Sequence, residues 1–212
     1  MTKDLLIATT NPAKLAEYQL LLRDLDLRIL SLRDLRITAE APEDATTFAA
    51  NALSKARFYF ERAGIPTLAD DGGFEVDALD GAPGVKSHRW LGVENPDDAL
   101  LAHEIIRRMA GVPPAKRTAR LRAAAALVYR DQAGIHEEVV EAALQGIVPE
   151  RCYPEIRQGF PYRSVLVIPE RGCYLAELGE EEAARISQRR VLVEKLTPGL
   201  TQLMKGPRSA VQ

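Results

Sequence analysis

The segment Ala69-Asp70-Asp71-Gly72-Gly73-Phe74 places two adjacent carboxylates after an apolar run, Ile65-Pro66-Thr67-Leu68-Ala69. Carboxylates are hard oxygen ligands, and Mg²⁺ is commonly held by one or two of them together with substrate phosphates. Acids closing a strand beside glycine backbone therefore suit a divalent cation, with Asp70 and Asp71 as candidate metal ligands. Neighbouring strand residues point to opposite faces, so the pair shares a task only if the strand ends there. The plainer alternative is an Asp-Gly turn between two strands, Thr67 to Asp70 and Phe74 to Leu79.

Three further segments carry groups suited to an anion. In Thr9-Thr10-Asn11-Pro12-Ala13-Lys14 a strand turns into a helix start bearing hydroxyls, an amide and a lysine. Helix N-termini expose unpaired N–H groups that attract anions, and Lys14 adds a point charge suited to phosphate. The glycines of a Walker loop are absent. The alternative is an ordinary cap by Thr10 or Asn11 with a surface lysine. Asn51 and Lys55 lie four residues apart on one helix face, where an amide and an ammonium could meet a phosphate chain. The alternative there is a solvated face. In Gly81-Ala82-Pro83-Gly84-Val85-Lys86-Ser87-His88-Arg89-Trp90, Arg89 offers a planar fork for an anion, and Trp90 reads as core or interface. His88, His103 and His136 have no metal-ligand partners in sequence.

These groups need elements to hold them. Leu5 to Thr9 reads as a buried strand, and Asn11-Pro12 starts a helix through Leu15, Tyr18, Leu22 and Leu25. Arg28 to Leu32 reads as a strand, Ala39 to Thr46 as a polar loop and Thr47 to Ala63 as a long helix. Pro96 to Met109 is a third helix, with Asn95 or Asp97 as its cap. Arg120 to Tyr129 and Glu137 to Ile147 form a hairpin across Asp131-Gln132-Ala133-Gly134. Ser164 to Ile168 reads as a buried strand. Glu180 to Lys205 is a helical region broken near Pro198-Gly199. Early alternation of strands and helices followed by hairpins argues for an α/β core on a mixed sheet.

The chain has 212 residues, enough for one large domain or two close lobes. A net charge of −2 supplies no global basic field, so nucleic acid is not an expected partner. No apolar run is long enough to span a bilayer, and the N-terminus lacks a signal-peptide layout. Cys152 and Cys173 have neither CxxC nor His-partnered spacing, and read as free thiols of a cytoplasmic protein.

Taken together, the segments resemble the inosine-triphosphate pyrophosphatase family, the Ham1 or RdgB-type enzymes. The resemblance rests on Thr9-x-Asn11-x-x-Lys14 with Glu17, Thr47-Phe48-x-x-Asn51-Ala52-x-x-Lys55-Ala56, Ala69-Asp70-Asp71-x-Gly73, Gly81-Ala82-Pro83-Gly84-x-x-Ser87-x-Arg89 and Ile186-Ser187-x-Arg189. These motifs keep family order over almost the whole chain. The resemblance implies a single α/β domain, 1–212, with an elongated mixed sheet, flanking helices and two lobes around a nucleotide cleft. It implies hydrolysis of deaminated purine nucleoside triphosphates to monophosphate and pyrophosphate with Mg²⁺ (or Mn²⁺), in a homodimer. Asp71 would activate water and help hold the metal, supported by Asp70. Thr9, Thr10, Asn11, Lys14, Asn51, Lys55, Gly72 and Arg89 would contact substrate. Phe160 and Tyr162 would stack near the base, and Arg189 would face it. Glu17 shares a face with Lys14 and reads as its brace.

The chain departs from the family pattern in metal binding and base recognition. A metal-binding glutamate expected just before Asn51 is Ala50, which should weaken Mg²⁺ binding. The nearest acids in sequence, Glu43 and Asp44, lie in the preceding loop. The Phe-Gly-Tyr-Asp-Pro base loop reads Phe160-Pro161-Tyr162-Arg163-Ser164, reversing a charge. A lysine and a histidine of the C-terminal motif are Ala183 and Gln188. Three readings stay open: an active pyrophosphatase of shifted specificity, a weak or inactive relative that binds a nucleotide or another anion, or a protein-interaction subunit that uses only the fold.

Overall fold

A computed structural model of the protein describes residues 2–93 and 96–205. Its twelve regular elements are β1 (Lys3–Ile7), α1 (Pro12–Leu21), β2 (Leu27–Ser31), α2 (Phe48–Ala63), β3 (Thr67–Val76), α3 (Asp98–Arg108), β4 (Thr118–Asp131), β5 (Gly134–Ile147), β6 (Val167–Ile168), β7 (Cys173–Tyr174), α4 (Glu180–Ile186) and α5 (Gln188–Lys205). The strands form one mixed sheet in the order β2-β1-β3-β4-β5-β6-β7. The expected α/β class with a mixed sheet is what the chain forms.

Two compact units divide the chain. One takes the chain up to Asp71, Ala123–Ala142 and the chain from Arg189; the other takes Gly72–Arg122 and Ala143–Gln188. In the first unit, β1 lies parallel to both β2 and β3, with Ile7 opposite Ser31 and Leu68. Its core joins Leu5 and Ile7 of β1, Tyr18 and Leu22 of the first helical stretch, and Leu192, Leu196 and Leu200 of α5. Burial of these apolar side chains at roughly 25 cal/mol per Å² is the force that seats the helices on the sheet. The second unit has its own core around Phe74, Val76, Leu101, Ile105, Tyr162 and Leu166. Trp90 packs against that core with Arg108 4.1 Å over its ring, as a core reading predicts.

Helix caps follow the sequence signals. Asn11 caps α1, Thr47 caps α2 and Asp97 caps α3. The alternative cap Asn95 lies outside the described residues. α2 ends at Gly64, which takes the left-handed conformation (φ 67°) that glycine adopts without penalty. The hairpin between β4 and β5 forms around Gln132-Ala133.

Three expectations are corrected. No turn forms at Asp71-Gly72, because β3 runs unbroken through both acids and both glycines to Val76. Phe74 and Val76 continue the buried alternation, and Phe74 N–H donates to Ser87 Oγ at 2.9 Å. Second, of Ser164 to Ile168 only Val167 and Ile168 form a strand, while Ser164 and Val165 close a 3-10 turn, Pro161–Val165. Pro161 fixes the first φ of that turn. Third, the C-terminal helices break at Ser187 and not at Pro198, which lies inside α5. The buried stripe Leu192, Leu196, Leu200 and Leu203 continues past the proline, and its burial outweighs one missing backbone hydrogen bond. A Cβ on Gly199 would meet the Glu138 carboxylate, the end of a flexible side chain that would have to turn aside.

Candidate active site

The site is built where β1 ends beside β3 and β3 runs on. Ala8 N–H donates to Leu68 O at 2.8 Å, and β3 then carries Asp70 and Asp71 beyond the last paired residues of β1. Open α/β sheets bind ligands beyond the carboxyl ends of parallel strands. The turn from β1 into α1 stands there too. Asn11 Oδ1 accepts from Ala13 N–H (2.9 Å) and Lys14 N–H (3.3 Å), and Asn11 N–H donates to Thr9 Oγ1 (3.2 Å). The capping oxygen of Asn11 is thus engaged by the helix itself. Thr10 is exposed.

Because β3 continues, Asp70 and Asp71 face different surroundings. Asp70 is buried between two cations: Lys14 Nζ lies 3.1 Å from Oδ1, and Arg189 Nε donates to Oδ2 at 2.9 Å. Arg189 Nη1 also donates to Glu17 Oε2 at 3.2 Å. Burial alone would raise the Asp70 carboxyl, but Lys14, Arg189 and Lys55 outweigh it and hold it well below the ordinary carboxylate range. Lys14 is pulled below its ordinary value, chiefly by burial. Asp70 therefore stays ionised.

Asp71 meets a different set. Asn51 Nδ2 donates to Oδ2 at 2.9 Å, and Lys55 Nζ lies 3.9 Å from Oδ1. Lys55 is also 2.6 Å from Glu43 Oε1, in the loop before α2. Burial raises the Asp71 carboxyl, and Glu43 adds to it, against Lys55, the Asn51 bond and Lys14. Burial would lower Lys55, but Glu43, Asp71 and Asp70 outweigh it and hold its pKa above the ordinary lysine value. A carboxylate whose pKa is lifted toward neutrality, beside an ammonium, suits proton uptake from water.

α2 positions this half of the site. Phe48, Asn51, Ala52, Lys55, Ala56, Tyr59 and Phe60 form its buried stripe, so Asn51 and Lys55 are not on a solvated face. Asn51 works at both ends of its amide: Nδ2 holds Asp71, and Oδ1 accepts from Ala45 N–H at 3.0 Å. Ala41 N–H donates to Tyr59 Oη at 3.3 Å. Glu43 thus sits in a loop pinned on both sides. Asn51, expected to contact substrate, instead aligns Asp71 and that loop.

The other residues expected to contact substrate have varied surroundings. Arg189, expected to face a base, is buried on Asp70 and Glu17. Glu17 braces Arg189 and not Lys14. Gly72 is half-buried in β3, and Arg89 is exposed on the turn after Gly84–Lys86. Tyr162 is a core residue: its ring stacks on Phe74 at 5.0 Å, and its hydroxyl donates to Ser87 O at 2.7 Å. Phe160 carries Arg163 3.8 Å over its ring. Gly159 N–H, which precedes it, donates to Asp98 Oδ2 at 2.5 Å. A concavity of about 790 Å³ lined by Arg57, Phe60, Arg130 and Ile135 includes none of the acid and lysine groups above.

Among the described residues no cluster of three or more acids, histidines or cysteines stands ready for a metal. Glu43 and Asp71 nevertheless form an oxygen donor pair around one cation. Mg²⁺ needs only one or two carboxylates when phosphate oxygens complete its shell. Sequence reasoning left the reach of Glu43 undecided. Its signal was an acid in a polar loop leading into a capped helix.

A mixed α/β sheet with paired carboxylates and buried lysines at the ends of parallel strands defines a class of proteins that handle phosphate-rich anions. The chain belongs to the Ham1 family, whose sequence model matches residues 5–198. It is 37% identical over 204 residues to the dITP/XTP pyrophosphatase of Geobacillus kaustophilus, covering 96% of this chain and 97% of that one. Its structure resembles a HAM1 protein from Coxiella burnetii, with TM-score 0.80, 29% identity, and 95% and 100% of the two chains covered. A nucleoside-triphosphatase / dITP/XTP pyrophosphatase from Mycobacterium abscessus matches with TM-score 0.70 and 34% identity, over 92% of this chain and 99% of that one.

Proposed function

We propose that the protein is a Mg²⁺-dependent nucleoside triphosphate pyrophosphatase acting on deaminated purine nucleotides such as dITP and XTP. The observation that carries this reading is the opposed environment of two neighbouring acids, Asp70 fixed between cations and Asp71 lifted beside Lys55 and Glu43. Membership of a family whose relatives are named dITP/XTP pyrophosphatases supports the substrate class.

In this reading water attacks the α-phosphorus, the bond to the bridging oxygen breaks, and pyrophosphate leaves. Asp71 accepts the proton of the attacking water. Asp70 holds Lys14 toward the turn at Asn11, where the helix start and the lysine receive phosphate oxygens. Lys55 supplies a second ammonium. Glu43 and Asp71 would hold Mg²⁺, which when bound neutralises charge developing on the phosphates. No helix among the described residues is long and apolar enough to cross a membrane. The family resemblance supports a cytoplasmic homodimer, which light scattering in solution tests.

The test is pyrophosphate release from ITP, XTP, dUTP, GTP and ATP with Mg²⁺ or Mn²⁺, alongside Asp71→Asn. Metal-dependent release that the variant loses is the expected result. Release from no nucleotide above the variant background overturns the enzyme reading.

A further inference from the structure

The cation that stands between Glu43 and Asp71 is the ammonium of Lys55. We propose that Lys55 is a placeholder for the divalent cation. Metal entering between the two carboxylates displaces the ammonium, which turns to the phosphate chain, so metal and triphosphate bind cooperatively. This inference rests on the site reading above and adds to it the order and coupling of binding.

Three observations carry it. Lys55 Nζ contacts Glu43 Oε1 at 2.6 Å and lies 3.9 Å from Asp71 Oδ1, so one ammonium serves two carboxylates. These three side chains sum to one negative charge, which a divalent ion between the carboxylates would more than offset. Second, Asp71 and the backbone of the loop that carries Glu43 are held without Lys55. Asn51 fixes Asp71 Oδ2, and Asn51 and Tyr59 pin the loop at Ala45 and Ala41. An ammonium on a four-carbon stem can swing while Asp71 and the loop that carries Glu43 stay in place. Third, the Glu43 side chain is 43% exposed while those of Lys55 and Asp71 are each 11% exposed, which gives an entering ion an approach from the Glu43 side. A divalent ion placed there satisfies both carboxylates and frees the ammonium for the phosphates. The remaining coordination positions fall to water and substrate oxygens, as is usual for Mg²⁺.

The experiment is a titration of nucleotide-free protein with Mn²⁺, followed by electron paramagnetic resonance, for wild type, Lys55→Gln and Lys55→Gln/Glu43→Gln. Removing a competing ammonium from this distance should tighten Mn²⁺ binding by about tenfold or more. Adding Glu43→Gln should abolish that gain. A non-hydrolysable ITP analogue should gain affinity from Mn²⁺ in wild type and lose most of that gain in Lys55→Gln. Unchanged or weaker Mn²⁺ binding in Lys55→Gln overturns the proposal. Should Lys55→Gln lose its native circular dichroism, the NMR signal of Lys55 Nζ in wild type decides. A shift on Mg²⁺ addition without nucleotide supports displacement, and a stationary signal at saturating Mg²⁺ overturns it. Neither metal readout uses turnover. A protein inert toward every nucleotide that still shows the Mn²⁺ gain loses the enzyme reading and keeps this one.

Discussion

Asp70 and Asp71 are covalent neighbours, and asparagine at each position should act in opposite ways. Asp70→Asn leaves Lys14 and Arg189 buried against a neutral amide. Removing one partner of a buried ion pair typically costs about 3–5 kcal/mol. For a chain of this size each kcal/mol lowers the melting temperature by roughly 2–4 °C. Asp71→Asn keeps an acceptor for Asn51 Nδ2 and removes a carboxylate whose charge burial disfavours. Its melting temperature should stay within a few degrees of wild type while pyrophosphate release disappears. Melting curves and release assays on the two variants check both halves. A stable, inactive Asp70→Asn beside a destabilised Asp71→Asn would reverse the assignment. In the proposed metal site, Glu43 would supply the carboxylate that Ala50 does not.

At the scale of elements, β5 gives a prediction that depends on close strand approach. A Cβ on Gly146 would stand 2.5 Å from Val167 O and 2.5 Å from Leu166 Cδ1. A backbone oxygen on the neighbouring strand cannot move without breaking the β5–β6 pairing at Ile147 and Val167. Gly146→Ala should therefore cost about 1–3 kcal/mol, the usual range for overpacking a fitted interior. Urea denaturation measures it, and a loss below a few tenths would show that β6 yields. How legible such elements are differs with the physics that forms them. Caps at Asn11, Thr47 and Asp97 and the helical spacing of α1 and α2 are local signals, and the structure follows them. The strand through Asp70-Asp71-Gly72-Gly73 is not local. Its glycines read as a turn, and pairing in the sheet, the buried Phe74 and the Ser87 hydroxyl keep it extended. The same holds in the site. Lys14, Lys55 and the acid pair are visible as types at a spacing. The roles of Glu17, Glu43 and Arg189 depend on partners up to 172 residues away, which no spacing rule reaches.

At the scale of the whole molecule, these charges set the response to acid. Asp70 titrates below its ordinary value of 3.8 in the folded chain. A group with a depressed folded pKa contributes stability in full above its unfolded pKa, and that stability is lost as pH falls toward the folded value. Asp71 has the opposite sign: its raised folded pKa means that the folded state takes up a proton first. Protonation of Asp71 therefore favours the folded chain as pH falls from neutral toward 3.8, before Asp70 begins to release its contribution. Glu104, held down to about 2 by Arg107 and Arg108, acts in the same direction as Asp70, but its pairing arginines are exposed and solvent weakens it. The denaturation midpoint should thus rise somewhat as pH falls toward the ordinary aspartate range and fall steeply below it. Asp70→Asn should start from a lower midpoint and show a flatter acid limb. Asp71→Asn should keep the steep limb but lose the rise above it, since that proton uptake is gone. Midpoints of urea unfolding at a series of pH values for the three proteins measure these slopes. An Asp70→Asn limb as steep as wild type would mean that the acid-labile charge lies outside this cluster.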